Sequence, residues 1–362
     1  MSKEQQILDL IRKDPFLPQQ TIANTLGLSR SRVAGYIMNL TRKGYIKGKG
    51  YIFSEQNQIV TIGSANVDIS GKALGKLNPQ DSNPGIIESC AGGVGRNIAQ
   101  NIAMLGKESH FISIVGDDIY GNFLLDKTKE FGVNVDKCYR VPNDKTSTYL
   151  SLLDEKGEMI VAINDMAILD KLTPSLLARR IELIQHARLL MLDCNLTEKT
   201  LAWIFNNVKD IPIFIDTVST FKAIKVKPWL SRIHTLKPNR LEAECISGIT
   251  INNKKDIENV ATWFHKQGTQ RIVLSLGKEG VYYSDDGVES GWLSPFTINI
   301  INVTGAGDAM MAGLACCYVD NMKLSESVRY AQACSALTLS SEFTNNPNLS
   351  NESVHKLLGV QL

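Results

Sequence analysis

The sequence predicts an α/β protein: a parallel sheet sandwiched between helices over residues 55–362, preceded by a small basic α(+β) module over residues 1–54. Three observations predict it. From Ile59 onward, short apolar runs of strand type alternate with helical segments, the pattern of a parallel sheet covered by helices. Residues 148–163 interrupt that alternation with a hairpin, which adds a small second sheet. Positive charge is concentrated ahead of the first strand. Residues 1–53 carry nine Lys/Arg against Glu4, Asp9 and Asp14, a net of +6, which leaves −4 for the rest of a chain whose total is +2.

In the basic module, Ile7, Leu8 and Ile11 share one helical face over residues 4–13, and Gln19 to Leu26 forms a second short helix. Gly27 supplies a turn, and Ser29 caps a third helix running to about Lys43, with Val33, Tyr36, Ile37 and Leu40 at core spacing. Arg30, Ser31, Arg32 and Asn39 are left outside. The stretch Thr21 to Val33 resembles a helix-turn-helix, and the alternating segment from Arg42 to Phe53 a basic hairpin, so the whole resembles a winged helix. Two uses fit it. A DNA-binding module would set Arg30, Arg32, Lys47 and Lys49 against phosphates; a docking or dimerisation domain would need them only for solubility. The charge lies on the elements that would face DNA, which favours the first. Residues 54–58 form a polar linker.

The second module opens with a strand over residues 60–63, a helix over 94–105 with Ile98, Ile102 and Leu105 inward, and a strand over 111–115. Residues 189–192, 213–215 and 272–275 are further buried-strand runs, and the lid-like strands fall within 66–92 and 146–164. No apolar run is long enough to span a bilayer, and the polar start from Met1 does not resemble a signal peptide. The seven cysteines and five histidines have no metal-ligand spacing, so zinc is not expected, and reduced thiols of a cytoplasmic protein are.

Residues 302–314 are the most informative run. Thr304-Gly305-Ala306-Gly307 offers bare backbone ahead of a small-residue helix, and a glycine-rich turn at a helix N-terminus is a ready anion site. Asp308 places a carboxylate where the anion should sit. That makes sense if it acts as base on a hydroxyl attacking a bound phosphate; the alternative is a tight turn with Asp308 as helix cap. Asn66 and Asp68, after the first strand, suit vicinal hydroxyls. Gly92 and Gly93 open a second glycine-rich turn, from which Asn97 can reach a hydroxyl. Asn239 and Glu242 stand one helical turn apart and can hold Mg²⁺ through water, or merely cap a helix. Ser275, Gly277 and Gly280 form a turn suited to phosphate or ribose.

The ordered set GSxNxD (63–68), GGxxxN (92–97), NxxE (239–242), SxGxxG (275–280) and TGAGD (304–308) resembles the ribokinase-like sugar kinases, the PfkB family, from Ile59 onward. Residues 81–85, 92–100, 162–166 and 236–244 carry a further likeness to the bacterial pseudouridine kinases within it. The resemblance implies a three-layer ribokinase-like α/β/α domain with a small β lid. It implies ATP and Mg²⁺ as cofactors, Asp308 as general base, and the N–H groups of Gly305, Ala306 and Gly307 as an anion hole. Asn239 and Glu242 would position Mg²⁺, while Thr304, Ser275, Gly277 and Gly280 would lie along ATP. Asn66, Asp68, Gly92, Gly93 and Asn97 would hold ribose, and Asn164 and Asp165 the base edge. In such kinases the lid often pairs with a second subunit, which implies a homodimer. Many members carry an Asp six residues before the catalytic one, tied to a monovalent cation; here it is Asn302, which leaves potassium activation open.

The function expected is ATP-dependent phosphorylation of the 5′-hydroxyl of pseudouridine or a close nucleoside, with DNA as a second partner through residues 1–53. Two alternatives stand beside it: a kinase for another nucleoside or free sugar, and a transcription regulator that uses the kinase fold only to sense ligand. The intact Asp308 and its glycines argue against a purely sensory fold.

Overall fold

The computed structural model of the protein describes residues 2–46 and 57–359. Contacts divide the chain into two units, Met1–Asn57 and Gln58–Leu362. The smaller unit holds helices Lys3–Lys13, Gln19–Leu26 and Arg30–Arg42. Ser2 accepts a hydrogen bond from the Gln5 N–H, and Ser29 one from the Arg32 N–H, so both capping hydroxyls satisfy first-turn donors. Ile7, Leu8, Ile11, Val33, Ile37 and Leu40 pack into one buried cluster, with Tyr36 at its rim. Arg30, Ser31, Arg32 and Asn39 are exposed. Lys47 and Lys49, with most of the basic hairpin, lie outside the described residues.

The strands of the larger unit are, in chain order, β1 (Ile59–Ile62), β2 (Asn66–Ala73), β3 (Gly85–Gly92), β4 (Ser109–Ile112), β5 (Ile114–Gly116), β6 (Tyr139–Val141), β7 (Thr148–Leu153), β8 (Met159–Asp165), β9 (Leu189–Asp193), β10 (Ile213–Asp216), β11 (Thr235–Leu236), β12 (Arg271–Ser275), β13 (Val281–Asp285) and β14 (Glu289–Leu293). The main sheet runs β14-β13-β12-β11-β10-β9-β1-β4. It is parallel from β4 to β12 and closes with antiparallel β13 and β14.

Both faces are covered. Leu190 and Leu192 point with Ile213 and Ile215 into a core shared with helices Glu198–Asn207, Arg240–Ser247 and Lys254–Lys266. Leu189 and Met191 point the other way, against helices Val94–Met104, Ala306–Val319 and Leu324–Leu339. Strands buried on two faces read as continuous apolar runs, which is why they stand out in the sequence. The single strand expected over 111–115 is broken at Ser113. Its hydroxyl donates to the Gly63 carbonyl at 2.7 Å, and the chain passes from β4 in the main sheet to β5, which pairs with β6. The second sheet runs β3-β2-β7-β8 and contains the expected hairpin.

Candidate active site

Chain order reverses between β1 and β9, the topological switch point of the sheet, and open α/β sheets bind ligands in the crevice beyond the carboxyl ends of the strands there. The polar residues at those ends are Ser64 just after β1, Asp193 closing β9, Asp216 closing β10, Lys237 after β11 and Ser275 closing β12. The helix Ala306–Val319 packs across β9 and β10.

Gly305 precedes that helix with φ of +80°, and a Cβ there would lie 2.0 Å from the Thr344 carbonyl oxygen, so only glycine fits. No side chain caps this N-terminus, which leaves the first-turn N–H groups without a side-chain acceptor. Asp308, on the same turn, is 9% exposed. Burial and then the charge of Asp216 push its carboxyl up to about 8, against a hydrogen bond from Asn97 and the charge of Lys237.

Asn97 donates from Nδ2 to Asp308 Oδ2 at 2.8 Å. Its own Oδ1 accepts from Arg96 Nη2. The Arg96 guanidinium is fully buried and donates also to the Gly92 and Ala91 carbonyls, Gln100 Oε1 and Asn345 Oδ1. Asn345 returns a bond from Nδ2 to the Asn97 carbonyl at 3.0 Å. Burial lowers the Arg96 pKa to about 10, opposed first by the charge of Asp68, and the guanidinium stays protonated at neutral pH.

Asn66 and Asp68 lie at the start of β2, where Asn66 Nδ2 donates to Asp68 Oδ1 at 2.5 Å. Burial raises the Asp68 carboxyl, opposed by Asn66 and by Arg96. Gly92 faces Asn66 across the strand pair, and a Cβ on it would strike Asp68 Oδ2 at 2.1 Å. Gly93 has φ of +100° and touches the Ser64–Ala65 backbone so closely that a Cβ would sit 2.6 Å from Ala65 Cα. Asn66, Asp68, Gly92, Gly93, Asn97 and Asp308 thus form one connected group.

A second group lies beyond β11 and β12. Asn239 caps helix Arg240–Ser247 in a capping box: its side chain accepts from the Glu242 N–H, and Glu242 Oε2 accepts from the Asn239 N–H at 2.8 Å. The same Oε2 accepts from the Thr217 hydroxyl at 2.7 Å. Asn239 bridges to Ser275, which brings both motifs together. Gly277 has open space around it, whereas Gly280 is packed against the Leu293 carbonyl. Thr304 is exposed, and its N–H donates to Asn302 Oδ1 at 2.9 Å, so that amide oxygen is engaged in the turn itself.

Across the lid sheet, Cys90, Asp68, Tyr149 and Asn164 stand in one register row and share a face. Asp165, one residue further along, pairs with Thr148 and lies on the opposite face. The structure therefore separates the two residues that the sequence grouped: Asn164 shares the Asp68 face and Asp165 does not.

Four charged residues of the crevice escaped the sequence reading: Asp193, Asp216, Lys237 and Arg96. Asp193 Oδ2 accepts from the Ser64 N–H, the Ser64 hydroxyl and the Gly95 N–H, each at 2.8 Å, and ties β1 to the glycine turn. Lys237 lies 3.3 Å from Asp216. Burial, which favours its neutral amine, is outweighed by Asp216, Glu242 and Asp308, so its pKa is raised. The signal for the first three was available: β9 and β10 are apolar runs ending in Asp, and Lys237 follows β11 directly. Among the described residues no three His, Cys, Asp or Glu are grouped to cage a metal directly. An ion that keeps several waters, as Mg²⁺ does, fits such a donor set better than one needing a full protein cage.

Residues 56–351 match the family model of the pfkB family carbohydrate kinases. The chain belongs to that family. It is an ATP-dependent kinase with a hydroxyl acceptor, built on the ribokinase-like fold. Residues 2–47 match a winged helix-turn-helix DNA-binding model. The kinase is 55% identical to the pseudouridine kinase of Escherichia coli over 84% of this chain and 97% of that protein. It is 43% identical to the uncharacterized sugar kinase YeiI of the same organism over 99% of both, so that relative spans both units. A carbohydrate kinase structure from Agrobacterium tumefaciens superposes with a TM-score of 0.73 at 29% identity, over 84% of this chain and 97% of that one.

The Arg96 network has a measurable consequence. Replacing Arg96 by Met strips the partner from five acceptors, four of them in buried bonds. Chemical denaturation should show a loss of about 3 kcal/mol or more. The kcat of the folded fraction should also fall, since Asn97 loses its anchor. A variant as stable and as active as the parent would show the network to be incidental.

Proposed function

We propose that this kinase transfers the γ-phosphoryl group of ATP to the 5′-hydroxyl of pseudouridine or a closely related nucleoside. The observation that carries the chemistry is Asp308: a buried carboxylate, gripped by Asn97, on the first turn of a helix whose N–H groups are open to an anion. The identity with the Escherichia coli pseudouridine kinase supports the choice of nucleoside.

In this reading Asn66, Asp68, Gly92, Gly93 and Asn97 hold the ribose, and Asn164, on the Asp68 face of the lid, meets the base edge. Asp308 takes the proton from the 5′-hydroxyl as its oxygen bonds to the γ-phosphorus. The bond from that phosphorus to the β,γ-bridging oxygen breaks, and ADP leaves. Charge on the transferring group is received by the N–H groups of Gly305, Ala306 and Gly307. Asn239, Ser275, Gly277, Gly280 and Thr304 lie along ATP. Mg²⁺, held near Glu242 and Asn239 through water, supplies neutralisation of the phosphate charge when bound.

Beyond its base the lid carries an exposed apolar face, with Ile87 79%, Ile163 64% and Val161 51% exposed. A surface of that kind supports pairing with a second copy through the lid. The small unit, with Arg30 and Arg32 exposed at the start of its third helix, is assigned to DNA, and a lid-paired dimer would favour a palindromic site.

A phosphorylation screen with ATP-Mg²⁺ tests the substrate. Pseudouridine should exceed uridine, inosine, ribose and fructose in kcat/KM, and Asp308→Asn should lower kcat by roughly 10² or more while leaving ATP bound. Preference for free ribose or fructose would overturn the nucleoside assignment, and near-normal turnover in Asp308→Asn would remove it from the chemistry.

Binding of the full chain to DNA, including its own upstream region, should weaken steeply as salt rises and weaken further in Arg30→Ala and Arg32→Ala. A chain beginning near residue 55 should keep full kinase activity. Absence of salt-sensitive DNA affinity would assign the small unit to docking instead.

A further inference from the structure

We infer that Lys237 is a catalytic residue of this kinase, its ammonium receiving the oxygens of the γ-phosphoryl group as it crosses to the acceptor. The inference rests on the reading that the Gly305–Gly307 turn accepts that group. Lys237 follows β11, in the middle of the crevice, and its side chain is 7% exposed. Asp216, at 3.3 Å, is the one carboxylate within ion-pair distance among the described residues, and that contact is longer than a tight charge-assisted bond. The ammonium also lies against the Gly305–Gly307 turn: a Cβ built on Gly307 would lie 3.5 Å from Nζ. An ammonium has three protons to donate. A buried pair with a single long contact repays the cost of desolvation poorly, and further acceptors are what would balance it.

The charge around it points the same way. Asp216 from β10, Glu242 from the helix after Asn239 and Asp308 from the helix after Gly305 all act on Lys237, with Asp193 of β9 close enough to act on Asp308. A triphosphate entering so acidic a crevice meets repulsion that a protein cation at the point of transfer offsets together with Mg²⁺. Gly307 has no side chain to stand between Lys237 and that point. During transfer the ammonium keeps its proton. Asp308 takes the proton of the acceptor hydroxyl, the new oxygen–phosphorus bond forms, and the bond to the bridging oxygen of ADP breaks, with Lys237 paired to the equatorial oxygens throughout.

The alternative is that Lys237 serves only to offset its carboxylate neighbours. Two variants separate the roles: Lys237→Met, and the charge-balanced Asp216→Asn/Lys237→Met, which keeps the crevice foldable if the single variant does not fold. Turnover is read on the high-pH plateau, where Asp308 is ionised in every variant. Calorimetry compares β,γ-imido-ATP with ADP, each with Mg²⁺. Both variants should lose about 10² in plateau kcat, and imido-ATP should lose about tenfold or more in affinity relative to ADP. Recovery of plateau kcat and of the imido-ATP to ADP affinity ratio in the double variant would overturn the inference and leave a structural ion pair. The kinase reading fails separately, if the unmodified protein binds imido-ATP yet phosphorylates no hydroxyl acceptor.

Discussion

Asp308 is a carboxylate buried at the start of a helix that no side chain caps, and in the proposed reading, where those N–H groups receive a phosphoryl group, the residues around it answer that demand. Burial and Asp216 raise its pKa to about 8, while Asn97 and Lys237 pull it back. Asn97 can do so only because its amide is fixed: Arg96 holds Oδ1, leaving Nδ2 for Asp308. Arg96 in turn is satisfied by the carbonyls of residues 91 and 92 and by Gln100 and Asn345. One guanidinium therefore joins the lid strand β3, the glycine turn and a segment near residue 345 to the acid at the centre. Orientation of this kind, built from groups already desolvated, is how an active site avoids reorganising during transfer.

The sheet supplies the rest. Five adjacent strands end on the same side, and each delivers one polar residue beyond its last buried apolar position. Glycine keeps the approaches clear. Gly92 admits the Asp68 carboxylate, Gly93 lets the turn lie against residues 64 and 65, and Gly305 passes Thr344. A methyl group at any of these would collide with backbone or carboxylate, so the glycine motifs are packing requirements whatever they bind.

Much of this was legible in the sequence. The apolar runs of β1, β9, β10 and β12 announced themselves because both their faces are buried, and the first and third helices of the small unit because Ile7, Leu8 and Ile11, and Val33, Ile37 and Leu40, follow helical spacing, the third behind the Ser29 cap. The antiparallel strands β13 and β14 carried weaker signals: β13 is buried but mixes Ser284 and Asp285 into its run, and β14, at the sheet edge, is only half-buried. Ser113 hid the break between β4 and β5, as a single serine in an apolar run looks like part of the strand. At the site, the glycine-rich motifs could be read because backbone approach demands a particular residue. Arg96 could not: an arginine on an apolar helix looks exposed until the five acceptors around it are assembled from distant segments. Which face of the lid Asn164 and Asp165 occupy also required the register, because neighbouring residues on a strand point to opposite sides.

The central claim is that Asp308 must lose a proton before the acceptor hydroxyl can. The most direct measurement is the pH dependence of kcat/KM for the nucleoside at saturating ATP-Mg²⁺. Because burial and Asp216 raise the folded carboxyl, the base form accumulates as pH rises. The rate should climb with pH and reach half its maximum well above the ordinary carboxylate range of about 4. A profile flat from about pH 5 to pH 9, or half-maximal near 4, would contradict the account.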